Sequence, residues 1–107
     1  MTTFDKREEG FEKKFALDEE QKFKAQARRN RLLGLWAAGE LGISGDAAIA
    51  YARDVIAAEF EEDGDAAVLR KVLDDFAAGN VAITAPAIRA RMDEFAVVAI
   101  AEVKAGM

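Results

Sequence analysis

The side chains able to do chemistry in this chain are few in kind. Its 107 residues include no histidine and no cysteine. That removes disulfides, thiol nucleophiles, zinc fingers, haem ligation by histidine, and Ser-His-Asp or Cys-His catalysis. Ser44 is the single serine, and acid–base work is left to Asp, Glu, Lys, Arg and Tyr51. Carboxylates gather at Glu61-Glu62-Asp63-Asp65 and at Asp74-Asp75. The first group lacks the ligand spacing of a calcium loop, and no Glu-x-x-His pair of a di-iron bundle occurs. Neither of the glycine-rich phosphate-loop patterns, GxxxxGK[ST] and GxGxxG, is present. These absences predict a protein that is not an enzyme, with no catalytic residue, no metal site and no required cofactor.

The distinctive chemistry is cationic. Residues 22–31 hold Lys22, Lys24, Arg28, Arg29 and Arg31 with no acid among them. On a helix, Lys24, Arg28 and Arg31 fall on one face. That face suits phosphate groups or an acidic patch on a partner protein. It reads equally as a solvated face paired with acids of the same fold, such as Glu61, Glu62 and Asp63. Nucleic acid is the weakest ligand for it. Residues 1–31 sum to +2 and residues 32–107 to −7, which together make the net charge of −5; nucleic-acid binding depends on an excess of cations.

Phe4, Phe11 and Phe15 lie within a run of mixed charges. Their i, i+7, i+11 spacing puts the three rings on one helical face. Gly10 interrupts that helix at a cost of about 1 kcal/mol relative to Ala. A face with so few apolar residues makes a poor core. It reads either as a solvated, frayed tail or as a segment that folds onto a partner and buries its rings in the partner's groove.

The composition predicts the elements that position these groups. Ala occurs 23 times and Pro once, which favours helices. Leu, Ile, Val and Phe number 27, enough for one modest core. A first helix starts at Asp18, a capping residue with Gln21 three positions on, and runs to about Glu40. Favourable Glu9–Lys13 and Asp18–Lys22 pairs would let it extend back through Phe11 when bound. Its second half is apolar on nearly every side and must be covered by neighbours. Trp36 lies there as a core aromatic, and Gly34 permits a close helix approach; Gly39 and Gly42 provide the stop.

A second helix covers Ala47 to about Glu61, capped by Ser44 or Asp46, with Ile49, Ala52, Ile56 and Phe60 as its expected buried stripe. A third runs from Asp65 to Gly79-Asn80, with Leu69, Val72, Leu73 and Phe76 inward and Asp74 and Asp75 outward. A fourth starts at Thr84, carries Pro86 in its first turn, and ends near Lys104; Ile88, Met92, Phe95 and Ala99 form its stripe. Short connections favour antiparallel neighbours, so the expected fold is all-α, a small four-helix bundle. No apolar stretch reaches the ~18 residues of a membrane span, and the opening MTTFDKREEG has no secretory apolar run. A soluble intracellular protein is the expectation.

Phe-Glu-x-Lys-Phe-Ala at 11–16, Phe23-Lys24-Ala25, and the string Arg28-Arg29-Asn30-Arg31-Leu32-Leu33-Gly34-Leu35-Trp36-Ala37-Ala38 closely resemble the zeta subunit of alphaproteobacterial F-type ATP synthases. The resemblance spans essentially the whole chain in length, helix order and its Thr-Phe-Asp-x-Arg-Glu opening. It implies a bundle at 18–107 and, at 1–17, an inhibitory segment that is labile or disordered when free. That segment would become helical as it enters a catalytic interface of the synthase head, formed by alpha, beta and gamma subunits, and so block ATP hydrolysis by obstruction. The implied contacts are Phe4, Asp5, Arg7, Phe11, Lys14 and Phe15. The same resemblance implies ADP or ATP as a ligand of the bundle, for which Arg28, Arg29 and Arg31 are the candidate phosphate contacts. It places the protein in the cytoplasm, on the cytoplasmic side of the membrane-bound enzyme and not inserted in the membrane. An adenine-nucleotide-binding regulatory module is the alternative function.

Overall fold

The structure, a computed structural model, describes residues 17–106. Of the segment expected to be labile, 1–17, residues 1–16 lie outside the described residues. Four helices follow one another: α1 Glu19–Glu40, α2 Gly45–Ala58, α3 Asp65–Ala78 and α4 Ala85–Lys104. Helix α1 is the longest and lies between α2 and α4, packing along both, while α3 crosses to touch the other three. Both flanking helices run antiparallel to α1. On one side Phe23 meets Phe60 and Gly34 meets Ala52; on the other Arg28 meets Glu102 and Arg91 meets Trp36.

Local chemistry fixes the helix ends. Gln21 N–H donates to Asp18 Oδ1 at 2.8 Å, and Asp18 N–H donates to Gln21 Oε1 at 3.2 Å. This reciprocal pair closes the capping box that the sequence predicts. Thr84 Oγ1 accepts from Ala87 N–H at 3.4 Å, and Pro86 follows in the first turn. Helix α1 stops at Gly42, whose φ is +76°; Ile43 N–H then reaches back to the Ala38 carbonyl at 2.8 Å. Asn80 does the same service after α3 with φ of +58°, and Val81 N–H bonds the Phe76 carbonyl at 2.8 Å. These are the six-to-one bonds of the Schellman motif.

The core gathers Leu33, Ala37, Val55, Ala58, Val68, Val72, Phe76, Ile88 and Met92. Trp36 sits at its edge, half-buried, with its ring edge-on to Phe76 at 5.6 Å and the Arg91 guanidinium over its face at 5.6 Å. The apolar half of α1 is covered from both sides, as its composition requires. The expected stripe of α2 is displaced. Ala52, Val55 and Ala58 are buried, while Ile49 and Phe60 are 48% and 70% exposed. The reason lies in the seam. A Cβ placed on Gly34 would stand 2.7 Å from Ala52 Cα, so α1 and α2 approach too closely for Ile or Phe to fit between them. In α3, Val68 joins Val72 and Phe76 in the core, with Leu69 and Leu73 half-buried. Asp74 faces outward as expected, but Asp75 does not. It accepts from the Tyr51 hydroxyl at 2.7 Å and from Lys71 Nζ at 3.1 Å. Burial, the Asp75 hydrogen bond and nearby carboxylate charge push the Tyr51 phenol above its ordinary value.

The two helical glycines of α1 are expected to respond in opposite directions. Gly34→Ala should destabilise by about 1–3 kcal/mol, because overpacking outweighs the gain in helix propensity. Gly39→Ala, with nothing within 4 Å of the added carbon, should stabilise by about 0.5–1 kcal/mol. Urea unfolding of the two variants checks both signs.

Candidate functional site

The basic run divides in the structure. Arg29 turns inward, at 9% exposure, beside fully buried Asn30. Its Nη2 donates to Glu59 Oε1 at 2.6 Å and to Asp65 Oδ1 at 2.7 Å, while Nη1 donates to Asp65 Oδ2 at 3.2 Å. Its Nε and Nη2 also donate to Asn30 Oδ1 at 3.0 and 2.9 Å, and Asn30 Nδ2 donates to Glu59 at 2.9 Å. One guanidinium thus joins α1, the C-terminal end of α2 and the first turn of α3. Gly64 leaves room for this. Its φ is +51°, and a Cβ there would come within 2.9 Å of Glu59 Oε2.

The two carboxylates respond differently. Hydrogen bonds from Arg29, the largest influence, hold Asp65 below the usual carboxylate range. Burial, the largest influence on Glu59, raises it, and the adjacent Asp65 carboxylate pushes the same way against Asn30 and Arg29. Among the described residues every buried side-chain nitrogen and oxygen has a hydrogen-bond partner.

Arg28 and Arg31 lie elsewhere. Arg28 pairs with Glu102 of α4 at 3.5 Å. Arg31 is exposed and faces the α1–α2 seam, lining hollows with Phe23, Lys24 and Ile56 and with Leu35, Ile49 and Arg53. The structure therefore brings Arg28 and Arg31 to one hollow of about 430 Å³ with Phe23 and Lys24, and places Arg29 among carboxylates instead. The pairing of the basic run with acids of the same fold holds for Arg28, through Glu102, and for Arg29. The acids of Arg29 are Glu59 and Asp65, which bracket the expected Glu61-Glu62-Asp63; Asp63 pairs with Arg70 at 3.2 Å. Phe4, Asp5, Arg7, Phe11, Lys14 and Phe15 lie outside the described residues.

Sequence reasoning missed a surface. Phe23, at 57% exposure, and Phe60 place their rings 6.1 Å apart on the outside of α1 and α2. With Ile49 and Ile56 they form an apolar strip along the seam. The signal that bears on it is Gly34 on α1, whose close approach to Ala52 and Val55 turns that face of α2 inward.

Removing the buried guanidinium should be costly. Arg29→Ala leaves Glu59 buried without its cation and is expected to destabilise by about 3 kcal/mol. Glu59→Gln should cost less, because the amide still accepts from Arg29. The pH dependence has two parts. Asp65 is lowered in the folded state, so its stabilisation is full above its ordinary value and disappears as pH falls through the folded value; Asp65→Asn should flatten that acid limb. Glu59 is raised, so its contribution is full below its ordinary value and is lost as pH rises through the folded value. Glu59→Gln should remove that opposing slope. Denaturant unfolding between pH 3 and 7, about the range where these carboxylates titrate, measures both.

Comparison with known proteins follows the same outline. A family model described as ATPase inhibitor subunit zeta matches residues 1–102. A structure solved by solution NMR is 45% identical, covers 79% of this chain and 96% of its own, and superposes with a TM-score of 0.69. No curated protein matches. With all but its last few residues matched, the chain belongs to the ATPase inhibitor subunit zeta family.

Proposed function

We propose that this chain inhibits ATP hydrolysis by the catalytic head of an F-type ATP synthase, inserting residues 1–17 at a catalytic interface among the alpha, beta and gamma subunits. The carrying observation is the span of the family match, residues 1–102, which takes in the Phe-bearing arm as well as the bundle. Phe4, Phe11 and Phe15 supply the apolar face of the arm, and Asp5, Arg7 and Lys14 flank it with both signs of charge. A face with so few apolar residues makes a poor core, and its rings are assigned to the partner. Obstruction of a rotary machine needs no catalytic group of the inhibitor, which accords with the residue types the chain contains. The setting is the cytoplasmic side of the membrane-bound synthase. No helix among the described residues is long and apolar enough to cross a membrane.

The second reading is an adenine nucleotide on the bundle. What favours it is the hollow lined by Phe23, Lys24, Ala27, Arg28, Arg31 and Ile56, where an aromatic face stands beside cations suited to phosphate oxygens. Arg29 would support this site from behind, its donors being held by Glu59 and Asp65. In an NMR titration with ADP or ATP, this reading requires shifts at Phe23 and Arg31; none at millimolar nucleotide removes it.

The inhibitory reading is tested by hydrolysis assays on the cognate head. The full chain should inhibit, and a chain lacking residues 1–17 should not, while retaining its helical circular dichroism and its urea midpoint. Phe11→Ala should leave stability unchanged and weaken inhibition by about 2 kcal/mol, the size of an interface hot spot. Full inhibition by the shortened chain would overturn the mechanism.

A further inference from the structure

The outer face of the α1–α2 seam is built unlike a solvated surface. A bundle helix ordinarily turns polar side chains to water. Helix α2 and the turn that follows it instead turn out Ile49 and Phe60, with Ile56 half-exposed between them, and α1 adds Phe23. Three hollows follow one another along this seam, of about 170, 430 and 260 Å³, and Ile56 lines all of them. Contiguous exposed apolar surface of this kind marks an interaction site.

Its rim is cationic in an acidic chain. Arg28, Arg29, Arg70 and Arg91 each reach a carboxylate. Arg31 and Arg53 are exposed, flank the hollow that holds Leu35 and Ile49, and reach no carboxylate among the described residues. They stand on different helices, yet the antiparallel packing of α1 and α2 sets both beside the same apolar strip. Two guanidiniums held over exposed isoleucine in a chain of net charge −5 call for acids from outside.

We infer that this seam is a second docking surface for the inhibited assembly, and that its occupant is an α-helix of the target presenting apolar side chains flanked by Asp or Glu. The length fits. From Ile49 to Ala58, the end of α2, is nine helical steps, about 14 Å, and Phe60 in the turn beyond extends the strip, which an amphipathic partner helix would cover with anchors at i, i+3 and i+7. The inference rests on the inhibitory reading for the identity of the target. It adds a function for the bundle: seam contacts hold the protein at the head, so that entry of the arm becomes an intramolecular step at raised effective concentration. Phe23 lies one turn into α1 and thus close to where the arm joins, so both surfaces can be engaged from one position.

The test uses the full chain and the isolated catalytic head, with binding read by fluorescence anisotropy of a labelled protein and inhibition read separately. Arg31→Glu combined with Arg53→Glu should weaken binding by about tenfold or more at low salt. It should steepen the loss of inhibition while leaving the urea midpoint in place, because both side chains are exposed. Arg31→Lys with Arg53→Lys should retain most of the affinity, and Phe60→Ser should lower it without a charge change. Equal affinity for the wild type and the double-Glu variant overturns the docking surface, whether or not inhibition is seen. So does a shift of Phe23 or Ile56 resonances in the free protein on Phe11→Ala, which would assign the seam to the chain's own arm. A dimer abolished by Phe60→Ser would assign it to a second copy and overturn the inference equally. Charge-dependent binding without any inhibition by the wild type would leave the docking surface standing and overturn the inhibitory reading alone.

Discussion

The position of Arg29 sets the arrangement of the first three helices. A guanidinium taken out of water is tolerated only when its donors are satisfied in good geometry. Glu59, Asp65 and the Asn30 amide satisfy them. Since these partners come from α2 and α3, any movement of either helix along α1 would strand a charge. Hydrophobic contacts are forgiving of small slides, whereas forked hydrogen bonds are not. The network therefore supplies what an alanine-rich core does not, a fixed register. It also dictates the backbone of the α2–α3 connection, where Gly64 adopts a positive φ and leaves space for the Glu59 carboxylate.

The close seam between α1 and α2 has an effect on the opposite face. Gly34 lets α1 close on Ala52 and Val55 of α2, and Ala58 is buried on the same helix. A helix has only so much circumference, so drawing the alanine face inward turns the larger side chains of α2 to the outside. The exposed Phe23–Phe60 pair and the tight interior seam are thus two sides of one packing decision. The same geometry explains why the cations separate. Positions 28, 29 and 31 are close in sequence, yet Arg29 turns to the α2–α3 corner while Arg28 and Arg31 line the outer seam, Arg28 also pairing with Glu102 of α4.

Much of the fold was legible before any coordinates. Asp18, Gln21, Gly42, Thr84 and Pro86 act through backbone chemistry confined to a few residues, and the structure uses each as its type predicts. The four helices and the burial of Val72, Phe76, Ile88 and Met92 follow from periodicity. The face of α2 was not legible, because two stripes one residue apart are equally periodic. The choice between them was made by a glycine on another helix. Asp75 was expected to face outward and the particular acids of Arg29 were not legible for the same non-local reason: their partners Tyr51, Glu59 and Asp65 lie 24 to 36 positions away. The family resemblance was carried by the 28–38 string, and the structure gives that string physical content, since it contains the buried guanidinium, the close-packing glycine and the edge-on tryptophan.

The capping box at Asp18 has a consequence for the way the arm and the bundle communicate. Asp18 holds an extended ψ of 174° and closes two hydrogen bonds with Gln21. A helix that continued from the arm into α1 would have to turn Asp18 into helical conformation and give up both bonds, at a cost of about 1 kcal/mol. The junction is thus a latch with a definite threshold. A continuous helix through Asp18 forms only where other contacts exceed that threshold.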